Sequence, residues 1–181
     1  RGLGDVYKRQ EMQTDILIQS FLDGVYDERL LDVYADETKI YYQRERYINA
    51  IKKFEQCYKP GDVELFSAPG RSEIGGNHTD HQNGEVLAAS VNLDTIGIVK
   101  KTDDNVIRLV SDNYDEIIIR LDDVSVKEKE KETTKALIKG VVSGFLERKY
   151  AVGGFQAYKL VRISVHLRTA AVFGLRRGFR A

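Results

Sequence analysis

Apolar positions recur at helical spacing through residues 13–57. Ile16, Leu17, Ile18, Phe21 and Leu22 make one short face, and Leu30, Leu31, Val33 and Tyr34 make another after the Asp23-Gly24 break. Tyr42, Ile48, Ile51 and Phe54 recur in a longer segment rich in Gln, Arg, Glu and Lys, which stops before Pro60-Gly61. We read these as packing helices with solvated outer faces and assign them no functional role. From Asp62 the period shortens. Val63–Phe66, Thr95–Val99, Val106–Val110 and Glu116–Arg120 are strand candidates. Polar turn clusters at Asp103-Asp104-Asn105 and Asp112-Asn113 separate the last three and suit a meander. Lys127–Glu132 is a charge run, read as a solvated loop or helix start. Thr133–Tyr150 reads as an amphipathic helix through Ala136, Leu137, Val141, Phe145 and Leu146, with Gly153-Gly154 beyond it. Helices, then strands, then a helix predict an α+β domain whose strands after Asp62 form one mixed sheet, with the last helix packed on it and the leading helices on another surface.

With 181 residues, 42% hydrophobic and 31% charged, the chain is sized for one packed domain or part of a larger one. No stretch approaches the roughly 20 apolar residues of a membrane-spanning helix, and the start does not read as a signal peptide. The single Cys57 excludes an internal disulfide framework and suits a reducing compartment. Acids and bases balance at 28 each, but unevenly: residues 1–10 carry +2 and residues 159–181 carry +6 with no acid, which leaves −8 for Glu11–Tyr158. An acidic body argues against a nucleic-acid surface.

Both ends look foreign to the body. Asp5-Val6-Tyr7-Lys8-Arg9-Gln10 resembles the translation of a transposase adapter used in sequencing libraries. We therefore read residues 1–10 as an adapter-derived scar, the alternative being an ordinary disordered terminus.

The chemistry concentrates in Ala68–Gly84, a polar run after a predicted strand that contains Gly70, Gly75, Gly76 and Gly84, together with Arg71, Glu73, Asn77, His78, Thr79, Asp80 and His81. Glycines let backbone approach a ligand closely. Asn, His and Asp at near-adjacent positions supply donors and acceptors suited to sugar hydroxyls, and Arg supplies a fixed charge near an anion. An ordinary surface loop is the plainer reading of such a composition. No Walker A pattern occurs. His78, Asp80 and His81 fall short of a zinc ligand set, because the only other histidine is His166. Cys57 has no neighbouring His and reads as a structural thiol.

Ala68–Asp80 resembles the sugar-binding signature of galactokinases, within the superfamily that includes homoserine, mevalonate and phosphomevalonate kinases. Gly70-Arg71, Gly76 and His78-Thr79-Asp80 match the pattern in register. Gly84-Glu85-Val86-Leu87, the Ala-Ala-Ser-Val-Asn-Leu-Asp run at 88–94 and the Gly154–Tyr158 strand fit the elements that follow. Asn77 stands where the family has Glu, His81 where it has Tyr, and Glu73 where it commonly has Asn. The resemblance implies the N-terminal part of a galactokinase-like two-domain kinase fold, with helices at 11–60, a sugar-binding domain at 61–158 and a frameshifted tail at 159–181. It implies ATP-dependent phosphorylation of α-D-galactose at C1, with Mg²⁺, in a cytoplasmic monomer without nucleic-acid or membrane partners. Arg71 would support phosphoryl transfer near the C1 hydroxyl. Asp80 would accept hydrogen bonds from the C3 and C4 hydroxyls, and His78 and Asn77 would contact hydroxyls toward C6. Kinases for N-acetylgalactosamine or a uronic acid, and a non-catalytic galactose sensor on the same fold, are the alternatives.

The family's glycine- and serine-rich phosphate loop, which follows this strand, and its catalytic Asp have no counterpart here. One codon choice for Leu175–Ala181, read one base later, gives Ser-Ala-Ala-Ala-Phe-Glu, close to that loop, hence the frameshift reading; the alternative is a genuine basic strand and helix. Without the phosphate side, the chain alone is expected to be inactive.

Overall fold

The structure, a computed structural model, describes residues 12–76, 84–85, 87–112 and 114–161. A two-residue strand β1 (Met12–Gln13) leads into helices α1 (Thr14–Leu22), α2 (Asp27–Tyr34) and α3 (Ile40–Cys57). The strands are β2 (Asp62–Gly75), β3 (Leu87–Thr102), β4 (Val106–Ser111), β5 (Ile117–Arg120) and β6 (Gly154–Val161), with helix α4 (Thr134–Glu147) before β6. They form one sheet in the order β1-β2-β3-β6-β4-β5. Every neighbouring pair is antiparallel except β4 and β6, which are parallel, so the sheet is mixed. This is the α+β architecture expected from the order of elements. No helix among the described residues is long and apolar enough to cross a membrane.

Two cores lie on opposite faces of the sheet. On one, Leu17 and Phe21 of α1, Leu30 and Tyr34 of α2, and Tyr47, Ile48, Ile51 and Phe54 of α3 pack on Val63, Leu65, Ile96, Ile98 and Tyr158. Spacings of three and four residues bring these α3 side chains onto one face of the helix. Phe21 stacks on Tyr47 with ring centroids 5.2 Å apart. On the other face, Ile138 and Val142 of α4 cover Ile107, Leu109, Ile119 and Ala157. Consecutive Ala157 and Tyr158 enter different cores because strand side chains alternate. Fully burying one such Ile or Phe contributes roughly 1.5–3 kcal/mol.

The meander expected of the third, fourth and fifth strands is only half present. β4 and β5 form a hairpin, but β6 enters between β3 and β4. The turn clusters set where strands end; they do not choose partners. The insertion leaves its mark at Gly154, where an added Cβ would lie 1.8 Å from the carbonyl oxygen of Asp104, because the β3–β4 connection crosses the first residue of β6. Gly154→Ala is expected to destabilise the chain by about 1–3 kcal/mol or more through that overlap, checked by denaturant unfolding.

The charge run is more structured than a solvated loop. Its Glu128–Glu130 forms a 3₁₀ turn. Lys139 of α4, only 4% exposed, donates to the Glu130 carboxylate at 2.7 Å and to the Ser125 carbonyl at 2.8 Å. Lys139 and neighbouring donors pull the Glu130 carboxyl from its ordinary 4.5 to about 2. A depressed carboxylate stabilises the fold above its unfolded pKa and loses that contribution as pH falls through the folded one. Unfolding midpoints should therefore drop between about pH 4.5 and 2, and Glu130→Gln should flatten that part of the profile.

Candidate functional site

The polar segment expected as a loop from Ala68 is, up to Gly75, strand. β2 continues through Pro69, Gly70, Arg71, Ser72 and Glu73, paired with β3. Gly and Pro signalled a break, but beyond its short pairing with β1 this stretch of β2 has a neighbour on one side only, and an edge strand tolerates Pro. The irregularity expected from those residues appears as two register shifts. Pro69 faces Asp94 whereas Arg71 faces Ser90, so Val91–Leu93 bulge opposite Gly70. Glu73 faces Ala88 and Gly75 faces Leu87, leaving Ile74 without a counterpart. Gly76, at φ +78°, then turns the chain out of β2.

These shifts divide the hairpin into a base and an arm. In the base, Val63, Leu65, Ser67, Asp94, Ile96 and Ile98 are buried; in the arm, formed by Gly70–Gly75 and Leu87–Leu93, Gly70 alone is buried. Arg71 sits in this arm. Its side chain is 61% exposed, and its guanidinium donates to Glu73 Oε1 at 2.8 Å, two residues along the same strand. The other predicted site residues, Asn77, His78 and Asp80, lie outside the described residues, as does His81, in the connection between β2 and β3 that the arm carries. Cys57, at the exposed end of α3, has a thiol pushed up by desolvation and by Glu116, which disfavours the thiolate. A groove between α3 and the end of β6, lined by Tyr42, Glu45, Asn49, Lys52, Leu160 and Val161, holds none of the predicted site residues.

Below the arm lies a polar cluster that the sequence reading did not single out. Asp94 is 2% exposed and accepts three hydrogen bonds: from Tyr34 Oη at 2.6 Å, Ser67 Oγ at 2.6 Å and Arg46 Nη2 at 2.8 Å. The second Arg46 nitrogen donates to Gln43 Oε1 at 2.6 Å. Tyr47 Oη lies 3.1 Å from Tyr34 Oη; since Tyr34 gives its proton to the carboxylate, Tyr47 is the donor there. Burial, then the Asp94 charge, raise the Tyr34 phenol well above its ordinary range. Burial opposes the Arg46 charge, but Asp94 more than offsets it and holds the guanidinium protonated. Asp94, Ile96 and Ile98 share one face at a period of two, which was a readable signal that an acid points into the core.

Different stabilities follow for the two arginines. Arg71→Ala should shift stability by no more than about 0.5 kcal/mol, because exposed pairs contribute little. Removing Asp94 strands a buried guanidinium and should cost about 3–5 kcal/mol. Equilibrium unfolding of Arg71→Ala and Asp94→Ala checks both.

Comparisons with known proteins point to galactokinases. Residues 52–101 match the galactokinase galactose-binding signature, a span from the last turns of α3 to the end of β3. Galactokinase of Clostridium tetani is 35% identical over 109 residues, which cover 59% of this chain and 27% of that protein. Galactokinase of Fusobacterium nucleatum is 33% identical over 106 residues, covering 58% of this chain and 27% of that one. The chain thus spans about a quarter of the length of the curated relatives it matches. A crystal structure of Lactococcus lactis galactokinase complexed with galactose superposes with a TM-score of 0.55 at 30% identity, over 63% of this chain and 30% of that one. The matched signature, relatives of one kind and a shared fold together show that this chain is similar to galactokinases, with the galactose-binding signature falling on the β2–β3 hairpin.

Proposed function

We propose that this chain is the sugar-recognition part of a galactokinase, an enzyme that transfers the γ-phosphoryl group of ATP to the C1 hydroxyl of α-D-galactose. The observation that carries this reading is the coincidence of the matched signature, residues 52–101, with the β2–β3 hairpin whose arm presents Arg71 to solvent. Asp80 accepts hydrogen bonds from the C3 and C4 hydroxyls and reads the axial C4. His78 and Asn77 take hydroxyls toward C6. An epimer that leaves a desolvated carboxylate short of a donor is penalised, which separates galactose from glucose. Arg71, released from Glu73, places positive charge where the C1 oxygen meets the transferred phosphoryl group.

The working unit in this reading is a sugar-binding domain from residue 61 to the end of β6, buttressed by the helices at 11–60; the boundary expected at 158 moves to Val161, because Lys159–Val161 pair with Thr95–Gly97 of β3. ATP is the phosphoryl donor, in cytoplasmic galactose metabolism, with the protein acting as a monomer. Mg²⁺ accompanies ATP in such transfers and neutralises phosphate charge. The described residues contain no group of three or more acidic, imidazole or thiol side chains placed to hold it, so no step is assigned to the metal. No residue of the chain matches the family's phosphate loop, so the chain by itself should bind sugar without turning it over.

Calorimetric titration tests this directly. The purified chain should bind galactose, and glucose at least about tenfold more weakly. Equal affinity for the two, or none for either, would sink the sugar assignment. In a coupled ADP-release assay no galactose-dependent turnover is expected; turnover at the rate of an intact galactokinase would show that the phosphate side is present after all.

A further inference from the structure

We propose that Asp94, with Tyr34, Arg46 and Ser67, is the positioning anchor that aims the sugar-binding arm, a role that rests on reading the arm as the galactose site. Among the described residues the arm is a cantilever. Beyond the Pro69–Asp94 pair its two strands hold each other through Arg71–Ser90, Ser72–Ala89, Glu73–Ala88 and Gly75–Leu87, and its large apolar side chains Ile74, Leu87 and Leu93 are exposed. The register shift immediately past Pro69 interrupts the ladder, so backbone pairing alone does not carry a fixed direction from base to arm. Direction has to be set by the last inward-facing side chain before the shift. That side chain is Asp94.

Its three donors come from three elements. Tyr34 ends α2, Arg46 belongs to α3 and Ser67 to β2, and all four side chains are at most 7% exposed. Three bonds of 2.6–2.8 Å converging on one carboxylate fix the Asp94 backbone relative to two helices and the paired strand. Stability alone is a weak reason for such an arrangement, because a buried ion pair replaced by well-packed apolar residues is often no less stable. What apolar packing lacks is direction. Hydrogen bonds to a carboxylate are directional, and that is what an arm without a core of its own needs. The matched signature contains Ser67 and Asp94 but stops short of Tyr34 and Arg46. The leading helices, read from sequence as packing alone, therefore serve the sugar site by holding its root.

The test removes single donors while leaving the carboxylate and the helices in place. Tyr34→Phe and Ser67→Ala each delete one bond to Asp94. The control, Tyr58→Phe, deletes a phenol–carboxylate bond of the same kind, from Tyr58 to Glu116 at 2.9 Å, just past the C-terminal end of α3. Amide hydrogen exchange is read across residues 70–75 and 87–93, alongside galactose affinity and unfolding midpoint. Both anchor variants should speed exchange in the arm about fivefold to tenfold relative to the control, and weaken galactose binding by a similar factor. The control should change neither, whatever it does to the midpoint. Arm exchange in the anchor variants equal to that of the control overturns the proposal, as does an arm already unprotected in the unmodified chain. If the anchor variants loosen the arm but the unmodified chain binds no galactose, the anchor stands and the sugar assignment falls.

Discussion

Everything in this fold hangs from the pairing of β2 with β3. These strands run 14 and 16 residues, against the five or six usual for a strand, and together they outrun the cores that flank the sheet. In the first half, pairs from Glu64–Val99 to Pro69–Asp94 build the floor on which α1, α2 and α3 bury their aromatic residues. In the second half the same ladder continues into solvent. A single antiparallel hairpin is marginal in water unless a hydrophobic face or a third strand supports it. The base has both, since β6 lies along β3 and the helices cover one face. Among the described residues the arm has neither, so it inherits its order from the base.

The insertion of β6 ties the two cores into one body. Its residues alternate between them, Tyr158 toward the leading helices and Ala157 toward α4, and Asp112 reinforces the link by accepting from both Tyr158 and Lys53 of α3. That carboxylate is held below its ordinary range by Lys53, while burial pushes the Tyr158 phenol up to about 12. A strand running parallel to β4 requires a crossover, and α4 supplies it while covering the second face. Because β6 pairs with β3 as far as Thr95–Val161, it supports the hairpin to within one residue of Asp94. Beyond that point no further strand lies beside the arm among the described residues.

Most of the elements were readable from local pattern, and the reason is that burial is periodic. The helical spacing of Leu17 and Phe21, of Leu30 and Tyr34, and of Ile48, Ile51 and Phe54 matches what is buried, whereas Ile16, Leu22 and Tyr42, drawn into the same faces by composition, are exposed. Local pattern is silent on strand partners, and so the place of β6 between β3 and β4 was not legible. It also misjudged Ala68–Gly75, where Gly and Pro mark bulges in an edge strand instead of its end. The polar anchors were missed for a related reason. Asp94 and Lys139 are charged residues among apolar neighbours, and only three-dimensional proximity, of Asp94 to Arg46 and of Lys139 to Ser125 and Glu130, makes their burial tolerable. Of the four site residues the resemblance singled out, Arg71 alone lies among the described residues, and its partner Glu73 is a position where this chain departs from the family's common Asn.

Those departures fit the division of labour in the hairpin. Residues in the base are constrained by packing on one side and by hydrogen-bond geometry on the other, so a change at Ser67, Asp94 or Ile96 is felt through the whole sheet. Described residues of the arm are mostly exposed, so Glu73 or Ile74 can change with small effect on folding. Segments that bind ligands are drawn from the low-stability end of a structure, because ordering them on binding is part of how they recognise. An exposed arm lets residues such as Glu73 and Ile74 vary while the fold stays fixed at the root. The cost of that freedom is that the arm must be aimed by something buried, and in this chain hydrogen bonds from α2, α3 and β2 at the root of the arm converge on Asp94.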